Sequence, residues 1–174
     1  EKSALEEEQV KIARELLGFA ALAAICDVMP LLDENRIIVR EGLLELSHTD
    51  NTGIRCLMLA AGLGSEPVTV YHAGFVLGPC LNASGRLDTA GRALALLKEQ
   101  DEARAMILAR DLKQLNDSRK SMTEEGVETA IRMIEEEIRK GRSMESRKVL
   151  VVRLEDCHES LAGIIAGRLR ERYH

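Results

Sequence analysis

Two stretches of the sequence combine residue types that suit the binding of phosphate groups. The first, GPCLNASGRLD at residues 78–88, places Asn82 and Arg86 among turn-forming residues between two apolar runs. Successive backbone N–H groups in a tight glycine-containing turn can bind an anion, and an arginine guanidinium matches two phosphate oxygens at once. We therefore predict a sharp turn that presents donors and one cation to an anion. The alternative is an ordinary connection between helices, in which Arg86 pairs with Asp88 or with a carbonyl group.

The second stretch, DCHESLAGIIAGR at residues 156–168, follows an apolar run and opens a helix. The first turn of a helix attracts anions because its backbone N–H groups lack partners within the helix. His158 and Ser160 lie where they could donate to a phosphate. Two glycines four residues apart would let this helix approach another group closely: Gly163 and Gly167. The alternative is an ordinary joint between a strand and a helix, with Ser160 as the N-cap.

A single carboxylate, Asp27, stands directly after the apolar run GFAALAAIC. Burial of a carboxylate is costly unless it is paired or bound to a metal ion. Asp27 is therefore a candidate metal ligand. The alternative is a local role, in which its carboxylate caps a helix or accepts from a nearby backbone N–H.

Helices must position these residues, because most apolar residues recur with a helical period. Pro30 should end the first helix and Asp33 should cap the second. Asn51 or Thr52 should cap the third, and Gly62 should end it. We predict six helices in this part of the chain, over residues 4–26, 33–46, 54–61, 69–77, 88–98 and 101–140.

The pattern of residue types changes near residue 145, where we place a domain boundary. Before it, Gly126 is a weak point in the long helix that could kink or break it, and GRSMES at 141–146 predicts a turn. After it, the β-branched run Lys148–Leu154 predicts a buried strand. A last helix is expected over residues 161–172. The fold class is mostly α, with one strand-loop-helix unit of α/β character at the end.

Composition limits the function classes. The net charge is −5 and aromatic residues make up 2% of the chain. There is no basic stripe for non-specific nucleic-acid binding, and few aromatic rings are available to stack on bases. The four cysteines are scattered without a CxxC pair, which argues against a zinc site or a disulfide framework and favours reduced thiols in a cytoplasmic protein. No apolar stretch is long enough to span a membrane.

Three stretches, in this order, resemble the RecJ single-strand-specific exonucleases of the DHH phosphoesterase superfamily: AAICDVMPLLDENRIIVREGL, GFVLGPCLNASGRLD and DCHESLAGIIAGRLRERYH. The resemblance covers essentially the whole chain. It implies that residues 1–100 are the C-terminal part of a DHH domain, residues 101–145 a connector helix, and residues 146–174 the start of a truncated DHHA1-type domain. It also implies digestion of single-stranded DNA from the 5′ end with Mn2+ or Mg2+, in DNA repair and recombination.

The resemblance also implies roles for individual residues. Asp27 matches the last metal-binding aspartate of the DHH domain. Asn82 and Arg86 match the NAxGR motif near the substrate phosphates, where they would act in catalysis. The remaining matches fall in a phosphate-binding motif of the second domain and comprise His158, Ser160, Gly163 and Arg168.

The sequence also departs from the family pattern. Glu159-Ser160 stands in place of Pro-Gly, Gly167 in place of Ser, and Cys26 in place of a small residue. No DxD or DHH motif occurs, and Asp27 alone cannot hold two hard cations. We therefore expect a piece of a longer protein that is inactive alone and binds DNA weakly and in a salt-sensitive manner. Helicase or single-strand-binding protein partners are left open.

Two alternatives remain from the sequence. One is another DHH-superfamily phosphodiesterase, acting on short oligonucleotides or cyclic dinucleotides. The other is a non-catalytic helical interaction module, which the acidic balance and the low aromatic content favour.

Overall fold

The computed structural model describes residues 2–64, 66–141 and 149–173, without the side chains of residues 2–6. A π-helical segment, His72–Leu77, leads directly into the fourth helix, and a 3-10 turn, Glu159–Leu161, leads into the last. The mostly helical fold is confirmed. The described residues form seven α-helices: α1 Lys2–Cys26, α2 Asp33–Ser47, α3 Thr52–Ala60, α4 Gly78–Leu87, α5 Gly91–Lys98, α6 Glu102–Arg139 and α7 Ala162–Arg172.

The chain divides into two compact units, Glu1–Asn116 and Asp117–His174. The division falls within α6, whereas the sequence pattern placed a boundary near residue 145. The assignment of parts of the chain to a DHH domain, a connector and a DHHA1-type domain stays a prediction. In the described part of the chain, no helix combines the length and the apolar character that crossing a membrane requires.

The first unit is held by close packing of α1 on α2 and by a shared apolar core. A Cβ added to Gly42 of α2 would overlap the carbonyl oxygen of Leu17 and the side chain of Ala21, so the two helices touch along their backbones. The core contains large, fully buried side chains from four helices and the π-helical segment: Leu46, Ile54, Leu57, Leu77, Leu96 and Leu112. Its composition follows from the aliphatic, aromatic-poor sequence.

Asn51 joins three helices of this unit. Its Oδ1 accepts a hydrogen bond from the backbone N–H of Ile54 at 3.0 Å, which caps α3 as the sequence predicted. Its Nδ2 donates to the carbonyl oxygen of Leu97 at 3.0 Å and to Oε1 of Glu15 at 3.1 Å. One amide therefore connects α1, α3 and the end of α5.

Replacing Asn51 by alanine should lower the free energy of unfolding by about 2 kcal/mol or more, because it removes a helix cap and leaves a carbonyl without its donor. The control is Asn35→Ala. That side chain makes one exposed bond, from Nδ2 to the carbonyl oxygen of Pro30, and its loss should cost less than about 0.5 kcal/mol. Thermal unfolding of the two variants measures the difference, and equal losses would contradict the assigned role of Asn51.

The second unit is built by the C-terminal part of α6 and by α7. Gly126 does not break α6, which is continuous. Instead, a Cβ added to Gly126 would lie 2.6 Å from Cδ1 of Ile165, so the glycine allows α7 to pack closely. The fully or nearly fully buried side chains of this unit form one cluster: Ala130, Ile134, Leu161, Ile165 and Leu169.

The strand predicted over Lys148–Leu154 is wrong for the described residues 149–154, which have no regular secondary structure. Burial alternates along the segment: Val149 and Val151 are 73% and 83% exposed, whereas Leu150 and Val152 pack against the cluster. The two-residue period of a strand is thus present. A strand also needs a neighbour for its backbone groups, and none exists among the described residues.

Two predicted helix signals are wrong, although the helix ends to which they were assigned are in place. The first helix ends at Cys26, as predicted, but Pro30 does not end it, because the chain already turns at Val28, whose φ is 55°. Asp33 does not cap α2, because it lies inside the helix with a φ of 44° and Leu32 occupies the N-cap position. Most of the predicted turn at residues 141–146 lies outside the described residues.

Candidate functional site

The stretch GPCLNASGRLD forms a helix, so the predicted sharp turn is wrong. Pro79 lies directly after the π-helical segment, inside a helix that continues without a break to Leu87. Leu77, Cys80 and Ser84 are buried at helical spacing, and this packing outweighs the turn-forming preferences of the sequence. The backbone N–H groups are used within the helix, so they do not form the predicted anion-binding turn. What remains is a helix that carries Asn82 and Arg86.

The end of α1 is held against the start of α4. Cys26 Sγ donates to the carbonyl oxygen of Ala73 at 3.8 Å. A Cβ added to Gly74 would lie 3.2 Å from Cγ2 of Ile25, and one added to Gly78 would overlap Cys26 Sγ. Two glycines, one helical turn apart, therefore let the two helices meet. Asp27, the next residue after α1, is fixed near the N-terminal end of α4.

Asn82 and Arg86 lie one and two helical turns beyond Gly78. Four residues advance about 6 Å along an α-helix and rotate by about 40°, so the three positions follow one side of α4. Asn82 and Arg86 are exposed, whereas Ala83 and Ser84 face the core. The structure therefore brings Asp27, Asn82 and Arg86 to one region of the first unit, with their side chains open to solvent.

Asp27 is exposed, so it does not carry the cost of a buried carboxylate. Its carboxylate has no hydrogen-bond or ion-pair partner in the described part of the chain. It does act on the neighbouring thiol: burial, and then the negative charge of Asp27, raise the pKa of Cys26. A carboxylate without a local partner can serve as one hard oxygen ligand.

A complete metal cage is not formed by the described residues. Within residues 2–64, 66–141 and 149–173, no three His, Cys, Asp or Glu side chains are placed to hold one ion. Mg2+ and Mn2+ take several oxygen ligands and are often held by one or two carboxylates of a protein. The carboxylate of Asp27 fits one position of such a coordination shell, and the remaining ligands would have to come from elsewhere.

His158, and not Ser160, caps the 3-10 turn Glu159–Leu161. The backbone N–H of Ser160 donates to Nδ1 of His158 at 3.3 Å, and Ser160 Oγ lies 2.8 Å from the same nitrogen. A backbone N–H can only donate, so Nδ1 is the acceptor and the neutral ring carries its proton on Nε2. The exposed imidazole thus retains one N–H donor for a ligand.

Gly163 and Gly167 lie on α7 with open space above them. No described atom comes within 4 Å of a Cβ added at either position, so the predicted close approach is not made within the described residues. Arg168, on the same helix, is exposed and lines a shallow depression of about 260 Å³ between α6 and α7.

The same depression contains two cations that sequence reasoning missed, Arg119 and Lys120, together with the acids Glu124 and Glu128. Arg119 and Arg168 are 49 residues apart, so no local sequence pattern could associate them. Their proximity comes from the packing of α7 on α6. The second unit therefore gathers cations at Arg168 as well as donors at His158 and Ser160.

The contact at Gly78 leads to a stability prediction. Gly78→Ala should lower the free energy of unfolding by about 1–3 kcal/mol, because the methyl group overlaps Cys26 Sγ in a packed region. Gly85→Ala is the matched control in the same helix. Its Cβ would meet nothing closer than Ala90 Cβ at 3.8 Å, so the change should add up to about 1 kcal/mol through helix propensity. Thermal unfolding measures both, and a Gly78→Ala variant as stable as Gly85→Ala would refute the close contact.

Comparisons with curated proteins find relatives of this chain. The chain is 33% identical over 160 residues to the single-stranded-DNA-specific exonuclease RecJ of Bacillus subtilis, which covers 92% of this chain and 20% of that protein. The chain is also 33% identical over 161 residues to the RecJ of Escherichia coli, and this match covers 92% of this chain and 28% of that protein. The chain thus spans between a fifth and about a quarter of the length of these relatives. No protein-family profile matches the chain.

Solved structures show the same similarity. The crystal structure of RecJ from Thermus thermophilus in complex with Mg2+ superposes with a TM-score of 0.77 at 30% identity, covering 92% of this chain and 24% of that one. A structure of exonuclease RecJ bound to manganese superposes with a TM-score of 0.75 at 29% identity. The superposition covers 90% of this chain and 38% of that one.

Proposed function

We propose that this chain, which is homologous to a segment of the RecJ exonucleases, supplies part of the active site of a metal-dependent exonuclease acting on single-stranded DNA. The observation that carries the proposal is the placement of Asp27, Asn82 and Arg86 in one exposed region. The packing of Cys26 on Gly78 fixes this placement. A carboxylate, an amide and a guanidinium along one helix suit the binding of a metal ion beside a phosphodiester.

Each of the three side chains has a distinct role in this proposal. Arg86 binds two non-bridging oxygens of the scissile phosphate and stabilises the negative charge that develops during hydrolysis. Asn82 donates from Nδ2 to a phosphate oxygen and fixes its orientation. Asp27 contributes an oxygen ligand to the metal. A Mn2+ or Mg2+ ion, when bound, neutralises phosphate charge and lowers the pKa of a water molecule.

The second unit supports the proposal with a separate set of donors. His158 offers Nε2–H, Ser160 lies beside it, and Arg168 adds a cation on α7. Gly163 leaves an exposed backbone that a phosphate can approach. We assign these residues to binding phosphates of the single strand away from the cut bond. Digestion from the 5′ end, a role in DNA repair and recombination, and a cytoplasmic location belong to the same proposal. All four cysteines carry thiols and form no disulfide, which favours a reducing compartment.

The test is a length ladder of single-stranded oligonucleotides with the full-length protein and Mn2+. Processive loss of nucleotides from long single strands, and little from blunt duplexes of the same sequence, is the expected result. A phosphate or a fluorophore blocking one end at a time reports the direction. Degradation restricted to two- to five-mers, or to cyclic dinucleotides, would replace this function by that of a short-oligonucleotide phosphodiesterase. No cleavage of any substrate would leave a non-catalytic helical module.

A further inference from the structure

The first unit carries an exposed aromatic pair at the π-helical segment. The rings of Tyr71 and Phe75 stack with their centroids 5.3 Å apart and 22° between their planes. They are 64% and 67% exposed. His72 stands edge-on to Tyr71 at 6.1 Å. The chain has two tyrosines, two phenylalanines and no tryptophan, so half of these rings lie in one surface stack. Large rings are generally buried in proteins, and an exposed stack indicates a binding surface.

The pair lies on the side of the helix that carries Asn82 and Arg86. The helix is continuous from Val70 to Leu87. Positions seven and eleven residues beyond Phe75 return close to its face, at two and three helical turns. The wider π-helical turn changes this angle by only a few tens of degrees. Asn82 and Arg86 therefore follow Phe75 at roughly 10 and 16 Å along the axis.

The charge of this helix also suits a polyanion. Residues 67–87 contain no aspartate or glutamate, although the chain has 29 of them. The cation of the stretch is Arg86, and its remaining side chains are apolar, aromatic or neutral polar. A nucleic-acid strand lying along this face would meet a guanidinium at one end and an aromatic surface at the other, with no repelling carboxylate from the helix itself.

We propose that the Tyr71–Phe75 pair is a stacking surface for one nucleobase of the single-stranded substrate, held a few nucleotides from the phosphate at Arg86. This inference rests on the proposed function. A strand of a duplex advances about 3.4 Å per nucleotide and an extended single strand advances further, so the separation of roughly 16 Å between Phe75 and Arg86 corresponds to about two to four nucleotides. Stacking accepts any base, since every base has a π-face, and it gives affinity without sequence preference.

The test uses the full-length protein with Phe75→Leu, which keeps an apolar side chain but loses the ring, and Phe75→Tyr, which keeps the ring. Leu94→Ala is the control, because Leu94 is a similarly exposed apolar residue of the same unit. Each protein is assayed with a series of single-stranded oligonucleotides in which one base at a time is removed to leave an abasic sugar. Both KM and kcat are measured.

The wild type and Phe75→Tyr should show a KM raised about tenfold by an abasic site at one position, two to four nucleotides from the cut bond. Phe75→Leu should show a similarly raised KM on the intact strand, an unchanged kcat, and no further loss at that position. Leu94→Ala should behave like the wild type. A positional loss that is equal in the wild type and in Phe75→Leu would overturn the proposal. So would a fall in both kcat and the melting temperature of Phe75→Leu without any positional effect, which would indicate that the pair packs on another part of the polypeptide.

The Kd of each oligonucleotide in the same series, measured by fluorescence anisotropy, separates this inference from the proposed function. A position-specific loss of binding without cleavage would overturn the exonuclease function and support the stacking surface. Cleavage that depends on Arg86 but shows no position-specific loss would support the function and overturn the stacking surface.

Discussion

Replacing Arg86 by alanine in the full-length protein should lower kcat on single-stranded DNA about 100- to 1000-fold, the usual effect of removing one donor that stabilises transition-state charge. The exposed guanidinium lies two turns beyond Gly78 on α4, and we assign it to a phosphate bound beside Asp27. Because the charge on the phosphate grows during hydrolysis, kcat should fall more than KM rises. Initial rates on a labelled single strand measure the effect.

Two variants make this result specific. Arg86→Lys keeps the charge but loses the two-pronged donor, and it should recover only part of the activity. Arg92→Ala removes a nearby arginine whose Nε lies 2.6 Å from Oδ2 of Asp88. It is expected to leave kcat within about twofold of the wild type, since exposed ion pairs contribute little. A wild-type rate for Arg86→Ala would remove the proposed role of this residue.

Asp27→Asn should lower the rate about 100-fold or more and raise the Mn2+ concentration needed for half-maximal activity. Replacing a residue that only supports a metal ligand typically lowers metal affinity or activity about 10- to 100-fold. Loss of a ligand itself should lower them at least as much. The substitution conserves size and removes only the charge and one strong oxygen donor. A metal titration of the full-length enzyme gives both quantities.

Asp33→Asn is the matched control for Asp27→Asn. Asp33 is an exposed acid six residues further along, at the start of α2. Its replacement removes the same charge from the same unit and should leave the half-saturating concentration of metal unchanged. If the two variants had the same metal dependence, the effect would be one of overall charge and Asp27 would not be a ligand.

Helices whose signals are local were predictable from the sequence. The apolar period defines α2 and α6 to within two residues, and Asn51 caps α3 as its residue type suggests. The helix α4 was missed because Gly78, Pro79 and Gly85 are typical of turns. The spacing of Ala73, Leu77, Cys80 and Ser84, which are all buried, is helical and was the available signal.

Contacts between residues that are far apart in the sequence could not be predicted from local patterns. The nearness of Arg119 to Arg168 arises only when α7 packs on α6. The segment at residues 149–154 keeps the alternating burial of a strand, but a strand forms only with a partner, and no local pattern supplies one. The placement of Asp27 likewise depends on two glycines about fifty residues away, which nothing near Asp27 indicates.

The raised pKa of Cys26 has a consequence for metal selectivity. Soft and borderline ions such as Cu(I) and Zn2+ are captured by thiolates and much less by thiols. Because burial and the adjacent carboxylate raise the pKa, the thiol next to Asp27 stays protonated at neutral pH and directs its proton to Ala73. In the metal-free chain, the position therefore offers the carboxylate oxygens of Asp27 beside a thiol and not beside a thiolate, which disfavours the initial capture of thiophilic ions.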